Sequence, residues 1–105
     1  MVRIYISGPI AGTPDYEERF AEAASAIQAD GHTYINPAML PRMMPGRSYE
    51  WYLDYDMDMI RHEADAICML PGWARSRGAR MERELARKLG LPFYDLKTGE
   101  FRHEG

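Results

Sequence analysis

Glu82 and Asp56 are the residues of this 105-residue chain whose type and spacing point to chemistry. Glu82 falls in a helical segment whose apolar stripe is Ala79, Leu85, Ala86 and Leu89. It stands three residues after Ala79 and three and four before Leu85 and Ala86, so helical periodicity puts it on the inward face. A carboxylate there is costly unless something uses its charge. Glu84 is the contrast, because Arg80 and Lys88 lie four residues to either side and mark a solvated face with ordinary ion pairs. Asp56 repeats the anomaly. In its segment Tyr52, Leu53, Asp56, Met59, Ile60 and Glu63 share one face, while Asp54, Asp58, Arg61 and His62 share the other. The plainer alternative keeps both acids at the edge of their stripes, with Glu82 reaching water or an arginine.

Position favours the chemical reading of Glu82. Ala66–Leu70 is a short apolar run flanked by turn formers, the pattern of a buried parallel strand. Pro71, Gly72 and Gly78 bracket a loop after it, and the amphipathic segment that follows stops at Gly90. Glu82 thus sits in an early turn of a helix at the carboxyl end of a strand, where ligands bind in open α/β sheets. Arg75, Arg77, Arg80 and Arg83 add local positive charge, which suits a small anion or simply a solvated helix face.

The elements that must position these acids follow from the same rules. Val2–Ser7 is β-rich and runs into the loop Gly8-Pro9-Ile10-Ala11-Gly12, whose glycine spacing matches neither the dinucleotide fingerprint nor a Walker loop. Thr13 and Pro14 form an N-cap and first-turn pair ahead of the stripe Tyr16, Phe20, Ala23, Ala24 and Ile27, which Gly31 ends. A short strand is expected at His32–Ile35. Ala38–Arg47, with two prolines, three methionines and no period, reads as an irregular lid or subunit-contact segment, or as a mobile loop. Ser48 caps the next helix. Leu91–Tyr94 is a last, edge-placed strand, and Asp95–Gly105 a polar tail or short hairpin extension. The expected fold is one α/β domain over residues 1–94: a small doubly wound, Rossmann- or flavodoxin-like parallel sheet of four to five strands in the order 2-1-3-4, flanked by three main helices. Reversal between strands one and three would set Gly8–Gly12 and Pro71–Gly78 on either side of one crevice.

Bulk composition limits the partners. At 46% hydrophobic, 28% charged and a net charge of −3, the chain has no basic footprint for a nucleic-acid polymer. Its one cysteine, Cys68, excludes an internal disulfide and reads as a small buried hydrophobe. No apolar run has membrane-span length and the start lacks a signal-peptide pattern, so a cytoplasmic location is expected. His32, His62 and His103 are scattered, and neither a metal nor another cofactor is expected.

Several segments together resemble the nucleoside 2-deoxyribosyltransferase-like superfamily. They are Tyr5-Ile6-Ser7-Gly8-Pro9, Asn36-Pro37, Tyr52 with Asp56, Ala64-Asp65-Ala66, Leu70-Pro71-Gly72-Trp73, and Ser76-x-Gly78-Ala79-x-x-Glu82. The match is best to its short phage and bacterial branch, a domain family of unknown function, and the superfamily includes deoxynucleoside 5′-monophosphate N-glycosidases. The resemblance implies that Glu82 is the nucleophile that attacks the anomeric carbon of a (deoxy)ribosyl group. It implies that Asp56, with Asp58 as its rival, contacts sugar or base and assists proton transfer, and that Tyr5 lies near the sugar. It further implies substrate binding by Ser7, Gly8, Pro9, Trp73, Ser76, Arg77, Gly78 and Ala79, with Ser76 at a 5′-phosphate. Pro9 replaces a phosphate-binding serine of some relatives.

The chemistry is coherent: a carboxylate stabilises and then captures an oxocarbenium-like centre, and a second carboxyl protonates the departing base. Arg77 or Arg80 would hold Glu82 charged or bind a phosphate, and Trp73 or Trp51 would stack on a base. The expected partner is a small nucleoside or nucleotide. Because the chain is short for the superfamily, a second copy is expected to complete the site, as a homodimer or larger homo-oligomer. Two alternatives stand beside this. One is a nucleotide-binding or interaction module without turnover. The other is a lysine-decarboxylase-like phosphoribohydrolase, faintly suggested by Leu70-Pro71-Gly72 and Gly78-Ala79-x-x-Glu82.

Overall fold

A computed structural model describes residues 2–104. Met1 and Gly105, the ends of the expected domain and tail, lie outside the described residues. Strand β1 (Arg3–Ser7) leads to α1 (Tyr16–Ala29) and β2 (Thr33–Ile35). A 3-10 turn (Pro37–Met39) and the short α2 (Leu40–Met43) follow, then α3 (Tyr49–Glu63) and β3 (Ala66–Met69). A second 3-10 turn (Trp73–Arg75) precedes α4 (Arg77–Lys88), β4 (Phe93–Tyr94) and β5 (Phe101–Arg102). The sheet order is β2-β1-β3-β4-β5, parallel throughout except for the antiparallel β4–β5 pair. This is the doubly wound arrangement expected from the sequence, extended by one strand at the C-terminal edge.

β1 is central and buried on both faces, and its period-2 alternation divides the domain. Ile4 and Ile6 pack with Ala66 and Cys68 against Phe20, Ala23, Ala24 and Ile27 of α1. Tyr5 points the other way and packs with Ile67 and Phe93 against Ile60 of α3 and Ala86 of α4. Ser7, two residues beyond Tyr5, shares that second face. Both helices that carry the candidate acids therefore cover the face to which β1 directs its two hydroxyls.

Several boundaries differ from expectation for local reasons. α1 begins at Tyr16, not at Pro14; Thr13 instead closes a turn, its carbonyl accepting from the Tyr16 N–H at 3.2 Å. The segment after Asn36 is not irregular. The Asn36 side chain caps the 3-10 turn by accepting from the Ala38 N–H at 3.1 Å, and the buried Pro37, Ala38 and Leu40 anchor the strap to the core. Ser48 caps α3 as expected, accepting from the Trp51 N–H at 3.0 Å. α4 starts earlier than the glycine pattern suggested, so Gly78 lies in its first turn and not in a loop; a Cβ there would stand 3.1 Å from the Tyr49 hydroxyl. Leu89, expected in the apolar stripe of α4, is exposed at the helix end, where Gly90 turns the chain with φ of 74°. Glu63 likewise faces solvent and pairs with Arg3. The segment expected as a polar tail or hairpin extension contains β5, which pairs with β4, and the Tyr94 hydroxyl ties β4 to the end of α1 by donating to Asp30.

Candidate active site

A cavity of about 480 Å³ opens at the carboxyl ends of β1 and β3, the switch point of the sheet. Gly8, Ile10 and Ala11 of the first loop form one side, and Arg75, Ser76, Arg77, Gly78 and Ala79 form the other. Phe20 of α1 and Pro37, Leu40 and Pro41 of the strap add apolar wall. Tyr49, Tyr52, Leu53 and Asp56 come from α3, and Glu82 from α4.

Glu82 is 6% exposed, and both of its carboxyl oxygens are engaged. The Ser7 hydroxyl donates to Oε1 at 2.7 Å and the Tyr5 phenol donates to Oε2 at 2.9 Å. Burial pushes the carboxyl up to about 7, while the Ser7 and Tyr5 hydrogen bonds pull it back down. Asp56, half-buried on the neighbouring helix, is pushed up to about 8, first by burial and then by the charge of Glu82; proximity to the Tyr5 phenol opposes this. Burial, then the charges of Glu82 and Asp56, also raise the Tyr5 phenol well above its usual range, so it stays a donor. Tyr5 has one proton to give, and Glu82 receives it. Of the two, Glu82 ionises at the lower pH, about 7, and Asp56 keeps its proton to about 8.

The arginines expected to neutralise Glu82 are elsewhere. Arg77 pairs with Glu50 at 3.0 Å and lies over the Tyr49 ring, and Arg80 donates to the Ala74 carbonyl. The long guanidinium arms near the α4 N-terminus reach outward, where solvation is retained, so the charge of Glu82 is met by hydroxyls alone. Glu84 pairs with Arg87, one helical turn on, not with Arg80 or Lys88.

Other expected binding residues also sit differently. Tyr5 and Ser7 lie beneath the cavity, fully buried, and act on Glu82 instead of facing a ligand. Pro9 packs over Gly72, outside the lining. Trp73 faces away from the cavity and carries the Arg83 guanidinium 4.7 Å from its ring centroid. Trp51 stacks on Tyr55 and lies beneath Arg47, also outside. Tyr49, Tyr52 and Phe20 are the aromatics that reach the cavity. Asp58 pairs with Arg61 on the solvent side of α3, which leaves Asp56 as the second carboxyl at the site. Ser76 caps α4, accepting from the Ala79 N–H at 3.2 Å, and still lines the cavity.

Ile10 and Arg75 belong to the two loops expected to flank the crevice, whereas Phe20 and the strap residues Pro37, Leu40 and Pro41 were not singled out as lining. Phe20 carried a signal only as a core residue, since its stripe says nothing of the void beside it. No group of acidic, histidine and cysteine side chains suited to a metal occurs among the described residues, and none of their helices is long and apolar enough to cross a membrane.

Fold and cavity together define a small doubly wound α/β domain with an acid pair at its switch point. The family model for a domain of unknown function, DUF4406, matches residues 2–95, and the chain belongs to that family. No curated protein matches it. Among solved structures it is similar to a 2-deoxyribosyltransferase from the psychrotolerant bacterium Bacillus psychrosaccharolyticus. The TM-score is 0.66 at 21% identity, over 88% of this chain and 69% of that one, a likeness of fold.

Proposed function

We propose that this protein cleaves or transfers the N-glycosidic bond of nucleosides or nucleoside 5′-monophosphates, with Glu82 as nucleophile. The carrying observation is the buried Glu82 carboxyl, held by two hydroxyls in a cavity it shares with the Asp56 carboxyl. A Glu82 oxygen attacks the anomeric carbon, the bond to the base nitrogen breaks, and its electron pair leaves with the base. Asp56 gives that nitrogen its proton, so no unstable anion departs. Water, deprotonated by Asp56, then hydrolyses the glycosyl ester; a second base in its place gives transfer. The shared fold with a 2-deoxyribosyltransferase supports this direction. So does the mainly apolar wall, which suits the faces of a base between Tyr52 and the strap prolines.

A 5′-phosphate is served by the rim. Arg75 lines it without an ion-pair partner among the described residues, next to the Ser76 hydroxyl and the first amides of α4. A homo-oligomer is also part of this proposal. Met39, Met43, Tyr49 and Tyr55 are exposed apolar or aromatic side chains on the strap and α3, beside the mouth of the cavity, and a second copy would cover them. Light scattering tests this directly, a dimer or larger species being the expected result and a monomer with full activity the contrary one.

The test of function is incubation with a panel of nucleosides and monophosphates, followed by chromatography for free or exchanged base. Activity that vanishes in Glu82→Ala supports the proposal. Activity that survives in Glu82→Ala contradicts it. Saturable nucleotide binding with no base released by the native protein would make this a binding module instead.

A further inference from the structure

Ser7 makes the shorter of the two hydrogen bonds to the Glu82 carboxyl and does not line the cavity, a combination that the proposed chemistry leaves unused. It is the last residue of β1, 0% exposed, and paired in register with Met69 of β3. Its hydroxyl cannot turn to water, and its one proton points at Glu82 Oε1 over 2.7 Å. Tyr5 meets Oε2 from two residues earlier on the same strand face. A buried carboxylate normally needs a cation or several donors to remain charged. Among the described residues no arginine or lysine bonds to Glu82, and Arg77 and Arg80, the two expected to do so, are committed to Glu50 and to the Ala74 carbonyl.

We propose that Ser7 is a positioning residue for Glu82: with Tyr5 it forms a two-hydroxyl clamp that fixes the carboxylate plane and offsets part of the cost of burying its charge. The inference rests on Glu82 being the nucleophile for its kinetic consequences, while the clamp itself is a statement about geometry and ionisation. Each oxygen of the carboxyl receives one strong, charge-assisted donor from a rigid central strand. Rotation about the last torsion of Glu82 would break both bonds together. The attacking oxygen is therefore delivered with a fixed lone-pair direction, which a single donor would leave free to swing. The groups that face Glu82 are few. β1 brings Tyr5 and Ser7, and α3 brings Asp56. The cavity rim brings Tyr49, Tyr52, Arg75 and Arg77, none of which bonds to it.

The experiment is a carbon-detected NMR titration of the Glu82 side-chain carboxyl in protein labelled at glutamate, assigned with Glu82→Gln. Ser7→Ala is expected to raise the midpoint by about one pH unit, because one hydrogen bond to the charged form is lost. Ser7→Cys keeps the volume with a weaker donor and should raise it less, and it decides the matter if Ser7→Ala does not fold. Cys68→Ala, on the opposite face of the sheet, is the packing control and should leave the midpoint in place. In the active protein, Ser7→Ala should lower kcat roughly tenfold below the acidic limb while KM stays within about twofold, since Ser7 does not touch the substrate space. Serine variants that titrate like the native protein, or a control that shifts as far as they do, would overturn the assignment. If the titration shifts but the native protein releases no base, the clamp stands and the glycosyl reading fails. If base is released and the titration does not shift, only the clamp fails.

Discussion

Asp56 and Glu82 reach one cavity from adjacent helices, and the charge on Glu82 is the second cause, after burial, of the Asp56 carboxyl lying near 8. The two acids thus differ because their neighbours differ. Glu82 receives two hydroxyl donors and ionises first; Asp56 lies near the Tyr5 phenol without receiving its proton and ionises later.

A bell-shaped pH dependence follows. Turnover needs Glu82 charged, so kcat/KM rises as pH passes about 7, and it needs Asp56 protonated, so kcat/KM falls above about 8. The optimum is narrow and near neutral. Asp56→Asn removes the alkaline limb and lowers kcat on poor leaving bases by about 10²–10⁴-fold. Initial rates across pH 5–10 check both limbs, and a rate that climbs steadily to high pH would contradict the assignment of roles.

The same shifts make stability depend on pH in a defined sense. Both carboxyls bind their protons more tightly in the fold than at their ordinary values of 3.8 and 4.5. Unfolding releases those protons between about pH 4 and 8, so this contribution is complete in acid and is lost as pH rises. Asp56→Asn should be more stable than the native protein at pH 9 by about 1–2 kcal/mol, roughly 5–10 °C in Tm, with the gap closing toward pH 4. Thermal melts at the two pH values decide it.

Two helix caps allow function to be separated from folding. Ser48 and Ser76 each accept from a first-turn N–H of their helices, α3 and α4, and removing either hydroxyl should cost about 1 kcal/mol. Ser76 also lines the cavity, and Ser48 does not. Ser76→Ala should therefore weaken use of a monophosphate beyond its loss of stability, while Ser48→Ala loses stability alone. Denaturant melts paired with KM for nucleoside and monophosphate give the comparison.

Gly8 is required by close packing. An added Cβ would stand 2.8 Å from the Leu70 Cβ, an atom that cannot swing aside. Gly8→Ala should separate the ends of β1 and β3 and cost about 1–3 kcal/mol by urea denaturation, with loss of activity because the first loop moves with it.

Period and punctuation carried most of the fold to the reader of the sequence. The stripe of α1, the apolar run of β3 and the Ser48 cap were legible because each is a local pattern. The strap around Leu40 was not, since its order comes from an Asn36 cap and from burial against distant elements. For the site, the inward placement of Glu82 was readable from three neighbours on its own helix. What lies opposite it was not. Helical spacing gave Arg77 and Arg80 no direction; Arg77 reaches the cavity rim but pairs with Glu50, and Arg80 bonds the Ala74 carbonyl. Trp73 offered an aromatic in the right loop, but Arg83, one helix away in space, fixed its ring on the outer side. Ser7 drew notice through its place in a motif, yet its partner stands 75 residues later in the chain.

The most direct measurement is to trap the intermediate. The protein is incubated with a 2-fluoro-arabinosyl nucleoside, whose fluorine slows release of the sugar, then digested and read by mass spectrometry. A sugar adduct on the peptide that contains Glu82, absent in Glu82→Gln, is the predicted result. Base release without any adduct, or an adduct on another residue, would contradict a glutamate nucleophile at this position.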